Sequence, residues 1–409
     1  MRKNIRNHVK RKPARSISYI IEAMKTIIRI LLPVLCAMAA LLPAKAEDIR
    51  IDLGDFISDY AYIVDYESGQ VISDKRSAER IHPASMTKIM TAIVAIENLP
   101  DLNERIPVTE RALAGLREEN ASVAGFNVGD EPTVLDLLYG VALPSGADAC
   151  NVLAYRIAGS IEGYVGMMND MREKTGMVDT HFVNTTGITD ADHYTTCRDM
   201  ASLLAYCVQN ETFRTVFSAH YVTTTTGLHL SSTIWSNADR LGLELPGYQG
   251  AKTGFTYSAG HCIAAWAYLG DMPLAIVLAH SDTDMAEPTH IKELDKALHT
   301  LSAWKRTIIS SPDQPLTTIT VHHRNLDESI EVSGVDFICQ DLPIDTDISV
   351  HTDLPSDIQA SIAKETLDGS INITVNGVPS YAWDVSVEIP AERSLMGKVS
   401  LWFDHYLGS

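Results

Sequence analysis

Two short clusters in this chain are equipped for covalent chemistry: Ser85 with Lys88 three positions later, and the triplet Lys252-Thr253-Gly254. A serine hydroxyl is a poor nucleophile until a base removes its proton, and a neighbouring lysine does so only when its pKa is depressed. Exclusion of water and a second nearby cation both depress it. The chemistry suggested is nucleophilic acyl transfer, on condition that the hydroxyl of Ser85 and the ammonium groups of Lys88 and Lys252 meet in one cleft.

Each motif alone is weak, because SxxK recurs at Ser302 to Lys305 and Ser361 to Lys364, and KTG recurs at Lys174 to Gly176. Context chooses among the copies. Ser85 follows Pro83 and opens a run in which Met86, Ile89, Met90 and Ile93 fall at helical spacing, so Lys88 sits one turn on along the same face. Ala92 and Ala95 extend that face with small side chains. Lys174 to Gly176 ends a helical pattern, where glycine is an ordinary C-cap. Lys252 to Gly254 instead precedes Phe255 to Gly260 and a buried-strand run. A lysine there can hold a substrate carboxylate, while Gly254 lets a substrate backbone approach closely.

The elements that must position these groups read as a mixed α/β domain. Ala61 to Tyr66, the turn Glu67-Ser68-Gly69 and Gln70 to Ser73 form a hairpin. Helical patterns follow near Leu135 to Leu143 and Cys150 to Ile157. Cys262 to Tyr268 and Leu274 to His280 flank a turn at Gly270-Asp271. Ser310 to Pro315 has linker composition, and beyond it only short strands are expected, with hairpin turns at Asp368-Gly369 and Asn376-Gly377. A β-sandwich of about 75 residues is the expected second domain. In the last segment Leu395, Val399, Trp402, Phe403 and Tyr406 share one helical face. That pattern suits an interfacial helix on a membrane or a helix packed on its own domain, and the two readings stay open.

With 409 residues the chain has room for two or three domains. Its 45% hydrophobic and 21% charged residues fit neither a disordered nor a multi-span membrane protein. Residues 1 to 46 carry ten Lys/Arg against the single acid Glu22, so a whole-chain charge of −19 leaves −28 on the remaining 363 residues. A body that acidic repels phosphate backbones, and nucleic acid is not an expected partner. Ile30 to Leu42 is a 13-residue apolar run followed by Ala44-Lys45-Ala46, which reads as a secretory signal peptide with Glu47 as the mature start. Met24 would open a leader of more usual length, and Leu35 before Cys36 argues against lipoprotein cleavage. Cys150, Cys197, Cys207, Cys262 and Cys339 survive cleavage, and an odd number leaves at least one thiol unpaired. CxxC and HExxH are absent and the 14 histidines are scattered, so no metal site or cofactor is expected.

Several stretches carry a family resemblance beyond the short motifs: His82 to Ala92 (HPASMTKIMTA), Asp136 to Gly140, Phe182 to Gly187 (FVNTTG), His193 to Thr196 and Lys252 to Thr256. On these the chain resembles the serine D-Ala-D-Ala carboxypeptidases among the low-molecular-mass penicillin-binding proteins, related to the class A β-lactamases. The resemblance implies a serine β-lactamase/transpeptidase-like domain over 47–308, an antiparallel sheet with helices on both sides. A small β-sandwich domain over 316–391 and a terminal helix over 392–409 follow it. Ser85 would attack the penultimate D-alanine carbonyl of a peptidoglycan stem peptide, with Lys88 as base and Ser145 relaying a proton to the leaving D-alanine. Lys252 and Thr253 would bind the terminal carboxylate beside Gly254, and the N–H groups of Ser85 and Phe255 would form the oxyanion hole. β-Lactams would be covalent inhibitors.

The chain departs from the family at one site position. The third place of the SxN motif, normally Asn, is Ala147, with Asp148 beside it. No Arg lies between Gly254 and Trp304. Two other readings compete. A class A-like β-lactamase lacks support because ExxLN is absent and the SDN triplet reads Ser-Gly-Ala. A catalytically impaired wall-binding protein has to account for the presence of Ser85, Lys88, Ser145 and Lys252 together. GxSxG is absent, against an α/β-hydrolase.

Overall fold

The computed structural model describes residues 50–390, apart from 52–55, 284–287, 324–325, 335 and 362–363. The leader expected at 1–46 and the helix expected at 392–409 lie outside the described residues. In chain order the strands are β1 (Tyr60–Asp65), β2 (Val71–Lys75), β3 (Tyr221–Thr223), β4 (His229–Ser231), β5 (Tyr248–Thr256), β6 (Gly260–Leu269), β7 (Met272–Ala279), β8 (Trp304–Ser310), β9 (Pro315–His323), β10 (Leu326–Ser333), β11 (Ile338–Pro343), β12 (Ile348–Thr352), β13 (Asp357–Gln359), β14 (Glu365–Val375) and β15 (Val378–Ile389). The helices are α1 (Thr87–Asn98), α2 (Glu110–Leu113), α3 (Val134–Ala142), α4 (Ala147–Ala158), α5 (Ile161–Lys174), α6 (Cys197–Cys207), α7 (Glu211–Ser218), α8 (Thr233–Leu241) and α9 (Thr289–Leu301).

Side-chain alternation explains the first unit. In β6, Cys262, Ala264 and Trp266 point into an apolar cluster shared with α1 and α3 to α7. Their neighbours Ile263, Ala265 and Ala267 point into a second cluster shared with α8 and α9. β7 divides the same way, with Ala275 and Val277 on one face and Leu274, Ile276 and Leu278 on the other. A strand whose residues are apolar at every position must be covered on both faces. The result is a five-stranded antiparallel sheet, order β2-β1-β7-β6-β5, with helices on both sides, as the sequence led us to expect.

Helix α1 is the core element of one layer. Ten of its twelve residues are buried, including Ala92 and Ala95 at 0% exposure, so packing rather than capping holds it. Helix α9 closes the other layer with Ile291, Leu294, Leu298 and Leu301 on one stripe. Each such burial contributes roughly 1.5 to 3 kcal/mol. Cys150, Cys197, Cys207 and Cys262 are free thiols buried among these layers, and Cys339 is half-buried and free.

The described residues of Asp48–Pro312 and Asp336–Thr346 form this first compact unit, and those of Asp313–Val335 and 347–390 form another. In the second unit, sheets β10-β9-β13 and β12-β14-β15 share one apolar cluster that includes Ile319, Val321, Val332, Ile371 and Val387. Asn376 and Gly377 both take positive φ, 50° and 77°, and form the expected β14–β15 turn. Asp368-Gly369 does not form a hairpin: it lies inside β14, paired with Ser386 and Val385. A Cβ on Gly369 would come 2.5 Å from Leu354 Cδ2, so this glycine serves close packing rather than a reversal.

Strand β11 returns to the first unit and pairs antiparallel with β8. Gln70 clamps it in both directions, donating to Asp341 O at 2.8 Å and accepting from Asp341 N–H at 2.7 Å. The guanidinium of Arg306 bridges two buried carboxyls, Asp65 and Asp341. Burial and the neighbouring Asp65 carboxyl push Asp341 up to about 7. The folded protein therefore holds this proton more tightly than the unfolded chain, and the contribution fades as pH rises from about 4 toward 7. Thermal melts across that range should lose stability with rising pH. Asp341→Asn, which cannot ionise, should flatten the slope, and an unchanged slope would exclude Asp341 as its source.

Candidate active site

The site is assembled where β5 abuts the 3-10 turn Ala84–Met86 that feeds α1. Ser85 sits half-buried in that turn, directly after Ala84, whose φ of 45° is unusual for a residue with a side chain. Lys88, in the first turn of α1, is 2% exposed. Its Nζ donates to Ser85 Oγ at 2.8 Å and to the carbonyl of Thr186 at 2.6 Å. A Cβ on Gly254 would lie 2.8 Å from Ser85 N, and one on Gly187 would lie 1.8 Å from Ala84 O. Two glycines thus let β5 and the Thr186–Gly187 segment close on the serine turn from different directions.

Lys252, in β5, is 1% exposed, and its Nζ donates to Thr253 O at 2.9 Å. Burial lowers the pKa of Lys88, and burial followed by the charge of Lys88 lowers that of Lys252 well below the usual lysine value. The three groups required by the sequence argument therefore converge. The amine beside Ser85 is shielded from water, which favours the unprotonated base, and its charge in turn disfavours a charge on Lys252.

Ser85 lies at the junction of two grooves. One, of about 320 Å³, is lined by Lys88, Ala147, Thr186 to Thr189 and Phe255. The other, of about 790 Å³, runs past Ser145, Thr253, Gly254 and Phe255 to Thr233, His261 and His290. Ser145 precedes α4 with a φ of 64°, and its buried hydroxyl has no hydrogen-bond partner. A strained residue with an unused hydroxyl in the same groove as Ser85 is consistent with a role completed only when substrate is present.

At Ala147 the wall of the smaller groove lacks a polar group, and the Thr186 carbonyl takes the second hydrogen bond of Lys88. The adjacent Asp148 does not substitute. Its carboxylate accepts from the N–H groups of Ala124, Gly125 and Phe126 at 2.8, 2.9 and 3.1 Å, pinning the segment that continues from the groove-lining residues Glu119 to Ser122. The competing motif copies have ordinary roles: Gly176 ends α5 with φ 74°, Lys174 pairs with Glu97 at 2.8 Å, Ser302 bonds the Leu298 carbonyl, and Lys364 pairs with Glu388.

Sequence reasoning assigned no role to Thr186, whose contribution is a backbone carbonyl and so leaves no residue-type signal. It also passed over His261 and His290, whose rings stack at 4.6 Å and 9° in the larger groove. Among the described residues no group of three or more His, Cys, Asp or Glu could hold a metal ion. No helix among them is long and apolar enough to cross a membrane.

Sheet, flanking helices and lysine-bonded serine together define the serine β-lactamase/transpeptidase-like class. Residues 47–283 match the Peptidase_S11 model, D-alanyl-D-alanine carboxypeptidase, and the chain belongs to that family. It is 34% identical over 243 residues to D-alanyl-D-alanine carboxypeptidase DacF of Bacillus subtilis, covering 58% of this chain and 61% of DacF. The match spans about three fifths of the length of DacF and of D-alanyl-D-alanine carboxypeptidase DacC of Escherichia coli. Among solved structures it is similar to the Streptomyces K15 DD-transpeptidase, with TM-score 0.52 and 27% identity over 59% of this chain and 98% of that one. Penicillin binding protein 5 from Haemophilus influenzae shares the fold, with TM-score 0.60 and 21% identity over 84% of this chain and 98% of that one.

Proposed function

We propose that this protein is a serine D-Ala-D-Ala carboxypeptidase that trims the terminal D-alanine from peptidoglycan stem peptides. The observation that carries this reading is the 2.8 Å hydrogen bond from the buried Lys88 amine to Ser85 Oγ, with Lys252 buried close enough to feel the charge of Lys88. Lys88, as the neutral amine, takes the Ser85 proton while Oγ attacks the penultimate carbonyl. The carbonyl oxygen lodges against the N–H groups of Ser85 and Phe255, and Ser145 passes a proton to the departing D-alanine nitrogen. Water then hydrolyses the ester on Ser85. Lys252 and Thr253 hold the carboxylate of the scissile peptide, and Gly254 keeps the strand close to it.

The reading extends to organisation and location. Residues 47–308 act as the catalytic domain and 316–391 as an accessory all-β domain. Residues 1–46 direct export to the cell envelope, and the apolar face within 392–409 contacts the membrane surface. β-Lactams acylate Ser85 as substrate mimics.

The test is to incubate purified protein with diacetyl-Lys-D-Ala-D-Ala and follow free D-alanine. Release at a rate proportional to enzyme, blocked by prior exposure to penicillin, is the expected result. No release overturns the carboxypeptidase reading, and rapid nitrocefin turnover replaces it with a β-lactamase.

A further inference from the structure

The larger groove ends at a feature that the proposed chemistry does not use. Helix α9, 13 residues long, begins there without a side-chain cap, and Pro288, His290 and Ile291 form that end of the groove. His290 is 4% exposed, and its Nδ1 has no hydrogen-bond partner. Its ring lies flat on that of His261, and the hydroxyls of Thr233 and Thr253 stand 3.5 Å apart in the same groove. A helix N-terminus carries about half a positive charge, and an unpaired imidazole nitrogen beside it is an orphaned polar group awaiting a ligand. Neither Arg nor Lys side chains line this groove.

Resting on the carboxypeptidase reading, we propose that His290, stacked on His261, recognises the terminal carboxylate of the substrate, and that binding draws one proton onto His290. The physical logic is local. In the empty groove burial pushes His290 down to about 3, helped by His261 and Lys252, so the His290 ring is neutral near pH 7. An arriving carboxylate supplies the counter-charge that burial withholds, which raises the affinity of His290 for a proton.

Apart from Lys252, which the carboxypeptidase reading places on the same carboxylate, the surrounding elements bring no lysine or arginine into the lining of this groove, and the acid Glu119 also lines it. On β6 the facing group is His261, and from β5 Lys252 acts at longer range. β7 has no titratable side chain. On α9 itself, Glu293 is turned to Ser58 Oγ and N–H. α8 carries exposed Asp239 and Arg240, and Arg240 donates to Asn237 Oδ1 at 2.9 Å without lining the groove.

The test compares acylation of Ser85 by benzylpenicillin and by its methyl ester, which lacks the carboxylate. The ratio of the two efficiencies cancels the pH dependence of the Lys88 step. In the native protein the acid-to-ester ratio should fall with rising pH between about pH 6 and pH 8, by up to about tenfold per pH unit for one linked proton. In His290→Gln the ratio should be flat and at least about tenfold lower near pH 6, while ester acylation, which reports an intact fold, persists. Arg240→Ala should keep the native slope. A flat ratio in the native protein, a native slope in His290→Gln, or a slope abolished by Arg240→Ala overturns the inference while leaving the acyl-enzyme intact. Failure of both probes to acylate Ser85 instead removes the acyl-enzyme reading, and this inference with it.

Discussion

Ser85→Ala should abolish covalent labelling by fluorescent penicillin, whereas the native protein should take up one label per chain. The hydroxyl accepts a 2.8 Å hydrogen bond from the buried amine of Lys88. The substitution removes one oxygen from a half-buried position, so the fold should survive and melting temperature should change little. Lys88→Met should leave the serine in place but without its base. Labelling should then slow by roughly 10²- to 10⁴-fold, the range for loss of a positioned proton acceptor. Gel fluorescence and intact mass after a fixed exposure measure both. Label retained in Ser85→Ala would discredit the nucleophile assignment, and native labelling rates in Lys88→Met would discredit the base.

The second large effect is expected from a residue that has no side chain. Gly187 has φ 87°, and a Cβ there would stand 1.8 Å from Ala84 O and 2.9 Å from Ser85 N. Both atoms are backbone, so no rotamer change relieves the overlap. Gly187→Ala must push apart the serine turn and the segment whose Thr186 carbonyl anchors Lys88. We expect a loss of at least about 2 kcal/mol of stability, from left-handed strain and steric overlap together, and a fall of at least about tenfold in labelling rate. Melting curves and labelling time courses would show both. Native values for each would mean that this close approach does not constrain the site.

Some of this architecture was legible in the residue pattern because it depends on near neighbours. The run from Met86 to Ile93 announced α1, the continuous apolar stretches around Gly270 announced β6 and β7, and both lysines were identifiable before their positions were known. Other parts depend on distant partners that leave little trace. The Thr186 carbonyl is an acceptor that any residue type would supply. Gly369 resembles a turn glycine, and only the Leu354 side chain against it reveals its packing role. The pairing of β11 with β8 is decided by Gln70 and Arg306, roughly 270 and 35 positions away from Asp341. His261 and His290 became informative only when the sheet and α9 placed their rings in contact.

The return of β11 also bears on how the chain can be shortened. A stop codon after Pro312 would spare every groove residue, yet it would strip β8 of its only ladder partner among the described strands and leave Arg306 with one buried carboxyl instead of two. An excised catalytic fragment ending there would present a raw strand edge, an invitation to aggregate. Nature's reading frame interleaves the two units, so a self-sufficient minimal enzyme would have to carry the distal hairpin strand with it, spliced across the gap.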